Sequence, residues 1–314
     1  MIALGTNFSF SGHESFPFRF PWMKKGFDAV LIEPNIFQKE EATSRLGVGK
    51  NMVRAIRHWC LSAGVLEEKD DSAGRSDGLL QGSRFGKLIF DDEGFDPYLE
   101  DTATLWLLHW MIVTCQIRAS TWFWCFNFYH EPVFTREDVV QSLFRWTQIL
   151  PGKKAAESSV KRDVDVFFRT FLPAKTRHIQ TEDTIDCPLI ELDLLENLFE
   201  TNTFRFNQGI QESLPDGVLL FAVLSFWEKY YPKLETLALA DLSKTPGSPG
   251  MVFKIPETAL IARLESIEKW TRGAITYRES AGIRQLFRRK HVDPLAALEI
   301  AYGSKKILAK DGWG

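Results

Sequence analysis

The sequence predicts a mainly α-helical fold with small β hairpins, arranged as two to three winged-helix-like units. Three observations carry this expectation. Residues 43–64 pattern as helix, glycine turn, helix, and an extended, glycine-punctuated segment follows them to residue 90. A second helix, turn, helix pattern spans residues 135–171, with Pro151-Gly152 at its turn. A third follows from Asp216, and no sequence repeat accompanies this recurrence of architecture.

The elements follow in chain order. Phe8 to Gly26 is aromatic, basic and irregular, turning helical from Trp22. Residues 37–46 and 48–63 read as two helices hinged at Leu46-Gly47, and residues 64–90 as an extended stretch ending Arg84-Phe-Gly-Lys-Leu-Ile-Phe90. Asp101 to Phe128 is apolar enough to be a buried helix capped by Asp101 or Thr102. Thr135-Arg-Glu-Asp138 opens the next helix with a capping-box pattern, and another runs from about Ser158 to Phe171. The C-terminal part reads as an apolar helix from Asp216 to Tyr231, a short helix near Leu237 and a turn over Pro246–Gly250. A helix from Pro256 to Thr271 and a hairpin from Ile275 to Arg289 complete it. The expected domains are 1–100, 101–212 and 213–314.

Functional information concentrates in the second helix of the first pattern. At about 100° per residue, Lys50, Asn51, Arg54, Arg57 and His58 share one face, while Met52, Val53, Ile56, Trp59, Cys60 and Ala63 form an apolar arc opposite. One face packs and the other is basic, which is what a recognition helix needs to reach phosphates and base edges in a major groove. Gly47-Val-Gly49 gives the turn backbone freedom and leaves helix-terminal amides available to a phosphate. An ordinary amphipathic surface helix is the competing reading, and the wing-like segment after it weighs against that. Gly-Val-Gly-Lys is not a nucleotide-binding loop, because Ser44 stands where that loop needs glycine and Asn51 where it needs Ser or Thr. Lys24, Lys25 and Arg45 lie close by in sequence and join the candidate DNA contacts. Lys161 and Arg162 do so from the 158–171 helix, where Asp165 among the bases makes a solvated, ion-paired face equally acceptable.

A net charge of −3 excludes a protein that binds nucleic acid through bulk charge, but the charge is uneven. The first sixty residues hold eight Lys or Arg against five acids, so a basic face can coexist with the acidic total. No run reaches the roughly 18 to 20 apolar residues of a membrane span. The N-terminus lacks secretory features, and a cytoplasmic location is expected. Cys60, Cys115, Cys125 and Cys187 are far apart, indicating thiols rather than a zinc site or a disulfide framework.

Phosphodiester hydrolysis calls for carboxylates holding a divalent metal, Mg²⁺ or Mn²⁺, or for a nucleophile flanked by cations. No ligand set is identifiable. Glu67-Glu68-Lys69 lacks the Pro-Asp partner of a restriction-type nuclease, and the acids from Asp91 to Asp101 lack calcium-loop spacing and suit a capping turn. His13, Glu14 and Arg19 are the catalytic candidates, because with Lys24 and Lys25 they place a histidine, a carboxylate and three cations within thirteen residues. His109, inside the apolar helix, reads as a core histidine.

Several linked motifs carry a family resemblance. They are Phe10-Ser-Gly-His-Glu-Ser-Phe16 with Arg19, Trp22 and Lys24-Lys25-Gly26, then Leu46-Gly-Val-Gly-Lys-Asn-Met52 with Trp59-Cys60. Asp96-Pro-Tyr-Leu-Glu-Asp101 and Thr104-Leu-Trp-Leu-Leu-His-Trp110 follow. Together they resemble the SspB-type DNA nickase family of the Ssp DNA phosphorothioation and phage-defence system, over about residues 8–172, with Pro246 to Phe253 adding to the likeness. The resemblance implies a bacterial protein that nicks one strand of duplex DNA so that sulfur can replace a non-bridging phosphate oxygen. Its implied partners are a cysteine desulfurase, an ATP-dependent sulfur-transfer protein and an ATPase, with no membrane involvement. The resemblance supplies no catalytic motif that transfers residue by residue, so the alternative expectation is a non-catalytic DNA-binding regulator or target-recognition subunit.

Overall fold

Apolar residues at helical spacing between residues 22 and 62 build the first helices of the protein, whose computed structural model describes residues 8–70, 76–150, 154–173, 187–198 and 202–303. Helix α1 (Trp22–Ile32) buries Trp22, Met23, Phe27 and Val30. Short α2 (Ala42–Leu46) ends at Gly47, whose φ of 62° is the left-handed conformation glycine adopts without strain. Helix α3 (Lys50–Ser62) then packs on α1 so closely that a Cβ on Gly26 would lie 2.5 Å from Cys60 Sγ. The expected helix over 37–46 is a 3-10 turn at Ile36–Gln38 followed by α2.

Strands β1 (Leu66–Asp70) and β2 (Ser76–Gly82) form an antiparallel hairpin with Leu66 opposite Gly82 and Glu68 opposite Leu80. The Leu80 amide also donates to the Pro34 carbonyl at 2.9 Å, tying the hairpin to the segment between α1 and α2. The expected extension to residue 90 is corrected: Arg84–Phe90 is a helix, α4. Ser83 caps it by accepting from the Gly86 amide at 2.8 Å and donating to the Gly64 carbonyl, and Gly86 lets the helix start directly against the Val65 carbonyl.

The apolar stretch from Asp101 is two helices, α5 (Thr102–Thr114) and α6 (Ser120–Asn127), not one. Helix α5 is buried almost all round, so no polar stripe exists whose interruption could mark its end. Asp101 caps it by accepting from the Ala103 amide, and Asp96 accepts the amides of Glu100 and Asp101 at 2.8 and 3.0 Å. Asp96 and Asp101 of the acidic run therefore serve the start of α5.

After strand β3 (Phe134–Thr135), α7 (Arg136–Ile149) opens with the capping box of Thr135 and Asp138. Helix α8 (Glu157–Phe171) follows; the Pro151-Gly152 turn lies outside the described residues. Strands β4 (Leu195–Leu198) and β5 (Thr203–Phe206) complete a sheet of order β3-β5-β4.

These elements, apart from the last residues of α6 and β5, belong to the larger of two compact units, residues 5–125 and 131–205; the smaller includes 126–130 and 206–314. Within the smaller unit, α9 (Asp216–Tyr230) is the buried centre, and Gly217 lets the Ala301 backbone approach closely. Strand β6 (Thr236–Ala238) leads through α10 (Leu239–Lys244), α11 (Pro249–Val252), α12 (Glu257–Leu264) and α13 (Ile267–Trp270) to the hairpin β7 (Ile275–Ser280) and β8 (Ile283–Arg288), in the order β6-β8-β7. The expected helix over 256–271 is thus divided at Glu265-Ser266. Both three-stranded sheets share one connectivity: a short strand, helices, then a hairpin whose second strand sits in the middle. The mainly α fold with small β hairpins is what the sequence led one to expect.

Candidate nucleic-acid interface

Helix α3 is amphipathic as its sequence requires. Val53, Ile56, Trp59 and Cys60 are buried, at 5% exposure for Val53 and 0% for the other three. Burial pushes the Cys60 thiol up, as befits an inert core cysteine. The Trp59 indole N–H donates to the Phe16 carbonyl at 2.9 Å, so the helix also anchors the N-terminal segment. Lys50, Asn51 and Arg54 are exposed and Arg57 is half-buried. The helix begins at Gly49, which has no side chain with which to cap the first-turn amides.

Around α3 the structure assigns each candidate cation a position. Lys24 is held by Asp28 at 2.7 Å and Asp92 at 2.6 Å; burial opposes its charge, but those two carboxylates outweigh burial and raise its pKa. Lys25 donates to the Leu46 carbonyl at 2.9 Å, at the C-terminal end of α2, and Arg45 pairs with Glu33 at 2.7 Å. Arg57 approaches Glu68 at 3.9 Å, and Arg118, 2.8 Å from the same carboxylate, shares it. Arg54 lies 3.3 Å from Glu14. Lys50 has no ion-pair partner among the described residues. His58 turns inward: a Cβ on Gly12 would lie 2.5 Å from its Nδ1, and burial above all, with further contributions from His13, Arg118 and Arg57, pushes its pKa down to about 3.

The catalytic candidates meet an unexpected residue. Asp163 of α8, 2% exposed, accepts through Oδ1 from the Ser11 amide at 2.6 Å and from His13 Nε2 at 3.0 Å, and through Oδ2 from the Thr121 hydroxyl at 3.0 Å. His13 Nδ1 accepts from the Ser15 amide at 3.1 Å, which leaves Nε2 to donate to Asp163. His13 is 1% exposed and is wedged between Trp59 and Trp122, with ring centroids 6.1 and 5.5 Å away. Both of its nitrogens are engaged. Arg19 is 6% exposed, with its guanidinium over the Phe16 and Trp22 rings.

This hub shapes the loop from Ser11 to Ser15, in which Ser11, Glu14 and Ser15 all have positive φ. Arg169 of α8 donates to the Ser15 carbonyl at 2.6 Å while Arg54 of α3 reaches Glu14, so neighbouring residues of one loop meet both helices. Lys161 and Arg162 are exposed on α8. Asp165 pairs across to Arg136 of α7, at 3.8 Å. Asp163 escaped the sequence reading, although a carboxylate within the apolar stripe of Val160, Val164, Phe167 and Phe171 was the available signal.

Among the described residues no group of three or more His, Cys, Asp or Glu could hold a metal ion. Asp96, the most buried acid of the Asp91–Asp101 run, is committed to backbone amides. Among the same residues no helix is long and apolar enough to cross a membrane.

No curated protein matches the sequence. Two solved structures do: an SspB crystal structure and a magnesium-ion-bound SspB crystal structure. Each is 29% identical, covers 96% of this chain and 90% of its own, and superposes with a TM-score of 0.85. The chain is thus similar to SspB in fold over nearly its whole length. Residues 10–302 match the family described as "Protein of unknown function (DUF4007)", and the chain belongs to that family.

Proposed function

We propose that this protein binds duplex DNA through the exposed face of α3 and works in a DNA phosphorothioation system. The observation that carries the reading is α3 itself: a helix anchored by Trp59, Ile56 and Cys60, with Lys50, Asn51 and Arg54 outward and an open N-terminus. In this reading α1, α2 and α3 with the β1–β2 hairpin form a winged helix. The two three-stranded units repeat the arrangement, with α8 and α12 in the place of α3. Such a helix lies in the major groove, with the amides of its first turn available to a phosphate. Lys161 and Arg162 add cations from α8, and Lys24, Lys25 and Arg45 flank the first unit.

Likeness to SspB supports work beside a cysteine desulfurase, an ATP-dependent sulfur-transfer protein and an ATPase, and supports strand nicking as the activity. His13, Glu14 and Arg19 are its candidate residues, and Mg²⁺ or Mn²⁺ its candidate cofactor. A second reading, a non-catalytic target-recognition subunit, is favoured by one specific observation: both His13 nitrogens are committed to Asp163 and Ser15. Supercoiled plasmid incubated with the protein and Mg²⁺ or Mn²⁺ separates the two. Conversion to open circles, lost on His13→Ala, supports the nickase; tight binding with supercoils intact supports the recognition subunit.

A further inference from the structure

The cations of α3 are not equivalent. Lys50, at the helix start, has no ion-pair partner among the described residues, whereas Arg54, one turn later, is met by a carboxylate that is not free to wander. Glu14 Oε1 lies 3.3 Å from Arg54 Nη1, and the backbone on both sides of Glu14 is fixed. Ser11 and His13 are bound to Asp163, the Ser15 amide to His13 Nδ1, and the Ser15 carbonyl to Arg169. Glu14 holds a φ of 50°, a conformation that this over-determined loop maintains. The side chains of Glu14 and Arg54 are 32% and 55% exposed, so the pair sits at the surface, where a ligand can reach the arginine's other edge.

Physically, a carboxylate beside an arginine does two things. It reduces the net local charge, weakening the pull of the nearest phosphate, and it restricts the rotamers of a long side chain, so that the planar donor fork is presented in one orientation. A bare cation such as Lys50 suits a phosphate; an aimed guanidinium suits the paired acceptors O6 and N7 on the major-groove edge of guanine. The N-terminal half of a recognition helix, where Arg54 lies, is the part that meets base edges.

We propose that Glu14 is a positioning residue that aims Arg54 at guanine, making Arg54 a base-reading residue and Lys50 a phosphate contact. This rests on the duplex-binding reading above. The test is selection of bound duplexes from a pool with a randomised core, followed by sequencing. Wild type should enrich guanine at one position, by about fivefold to a hundredfold. Arg54→Ala and Glu14→Asn should erase that enrichment. Asparagine accepts the left-handed backbone but is too short to hold the arginine. Glu14→Gln, which keeps an acceptor, should retain part of it. Glu14→Asn should bind mixed-sequence DNA more tightly than wild type, because a negative charge is gone, and its unchanged melting temperature would confirm the fold. Lys50→Ala should weaken binding to every sequence without altering the preference. Enrichment that is absent in wild type, or identical in Glu14→Asn, overturns the proposal while leaving duplex binding intact. Failure of wild type to retain any duplex overturns both.

Discussion

Replacing Asp163 with alanine strikes the one buried carboxylate that joins α8, α6 and the N-terminal loop. Three donors lose their acceptor at once: the Ser11 amide, His13 Nε2–H and the Thr121 hydroxyl. Each stranded buried donor costs about 1 to 3 kcal/mol, and relaxation of the loop recovers part of that, so the expected loss is about 3 to 5 kcal/mol. For a unit of this size the melting temperature should fall by about 6 to 20 °C. Thr121→Val removes a single donor and should cost only about 1 kcal/mol. Urea titration and thermal melting followed by circular dichroism measure both variants. A melting temperature for Asp163→Ala within about 2 °C of wild type would refute the reasoning that the carboxylate organises this region.

Two further outcomes follow from contacts elsewhere. A Cβ on Gly86 would lie 2.1 Å from the Val65 carbonyl oxygen, so Gly86→Ala should destabilise by about 3 kcal/mol, whereas Gly209→Ala, which meets nothing within 4 Å, should be nearly neutral in the same urea titration. His58 has a folded pKa of about 3 against an ordinary 6.5, so between these values the unfolded chain binds the extra proton and stability falls as pH falls. Compared with a non-titrating His58→Gln variant, wild type should lose stability on acidification from pH 7 to 4, by at most about 1.4 kcal/mol per pH unit below 6.5. Parallel curves for the two proteins would show that His58 is not the group responsible.

The parts of the fold legible in the sequence are those where periodicity and punctuation are strong. Helix α3 separates its faces cleanly, Gly47 marks the end of α2, and Thr135-Arg-Glu-Asp138 writes out its own capping box. Boundaries failed where those signals vanish. Helix α5 is apolar on nearly every side, so periodicity could not mark its end, and the polar Gln116 and Arg118 before α6 were the available signal. The start of α4 was hidden because Gly86 falls at the end of a stretch that reads as extended and glycine-punctuated, although it is there to admit the Val65 carbonyl. The site shows the same division. The basic face of α3 follows from local spacing, but the partner of His13 lies 150 residues away, and only the fold brings Asp163 to it. Nearness in sequence grouped His13, Glu14 and Arg19; the structure instead turns His13 and Arg19 inward and leaves Glu14 at the surface beside Arg54.

The salt dependence of duplex affinity tests the central claim most directly, because each phosphate contact that displaces a counterion contributes about 0.9 to the slope of log K against log salt. Fluorescence anisotropy between about 50 and 200 mM salt should give a steep slope for wild type. For Lys50→Ala/Arg54→Ala/Arg57→Ala, folded by circular dichroism, the slope should be shallower by between about one and three units, with weaker binding throughout. An unchanged slope and affinity in that variant would contradict the assignment of α3 as the DNA-binding helix.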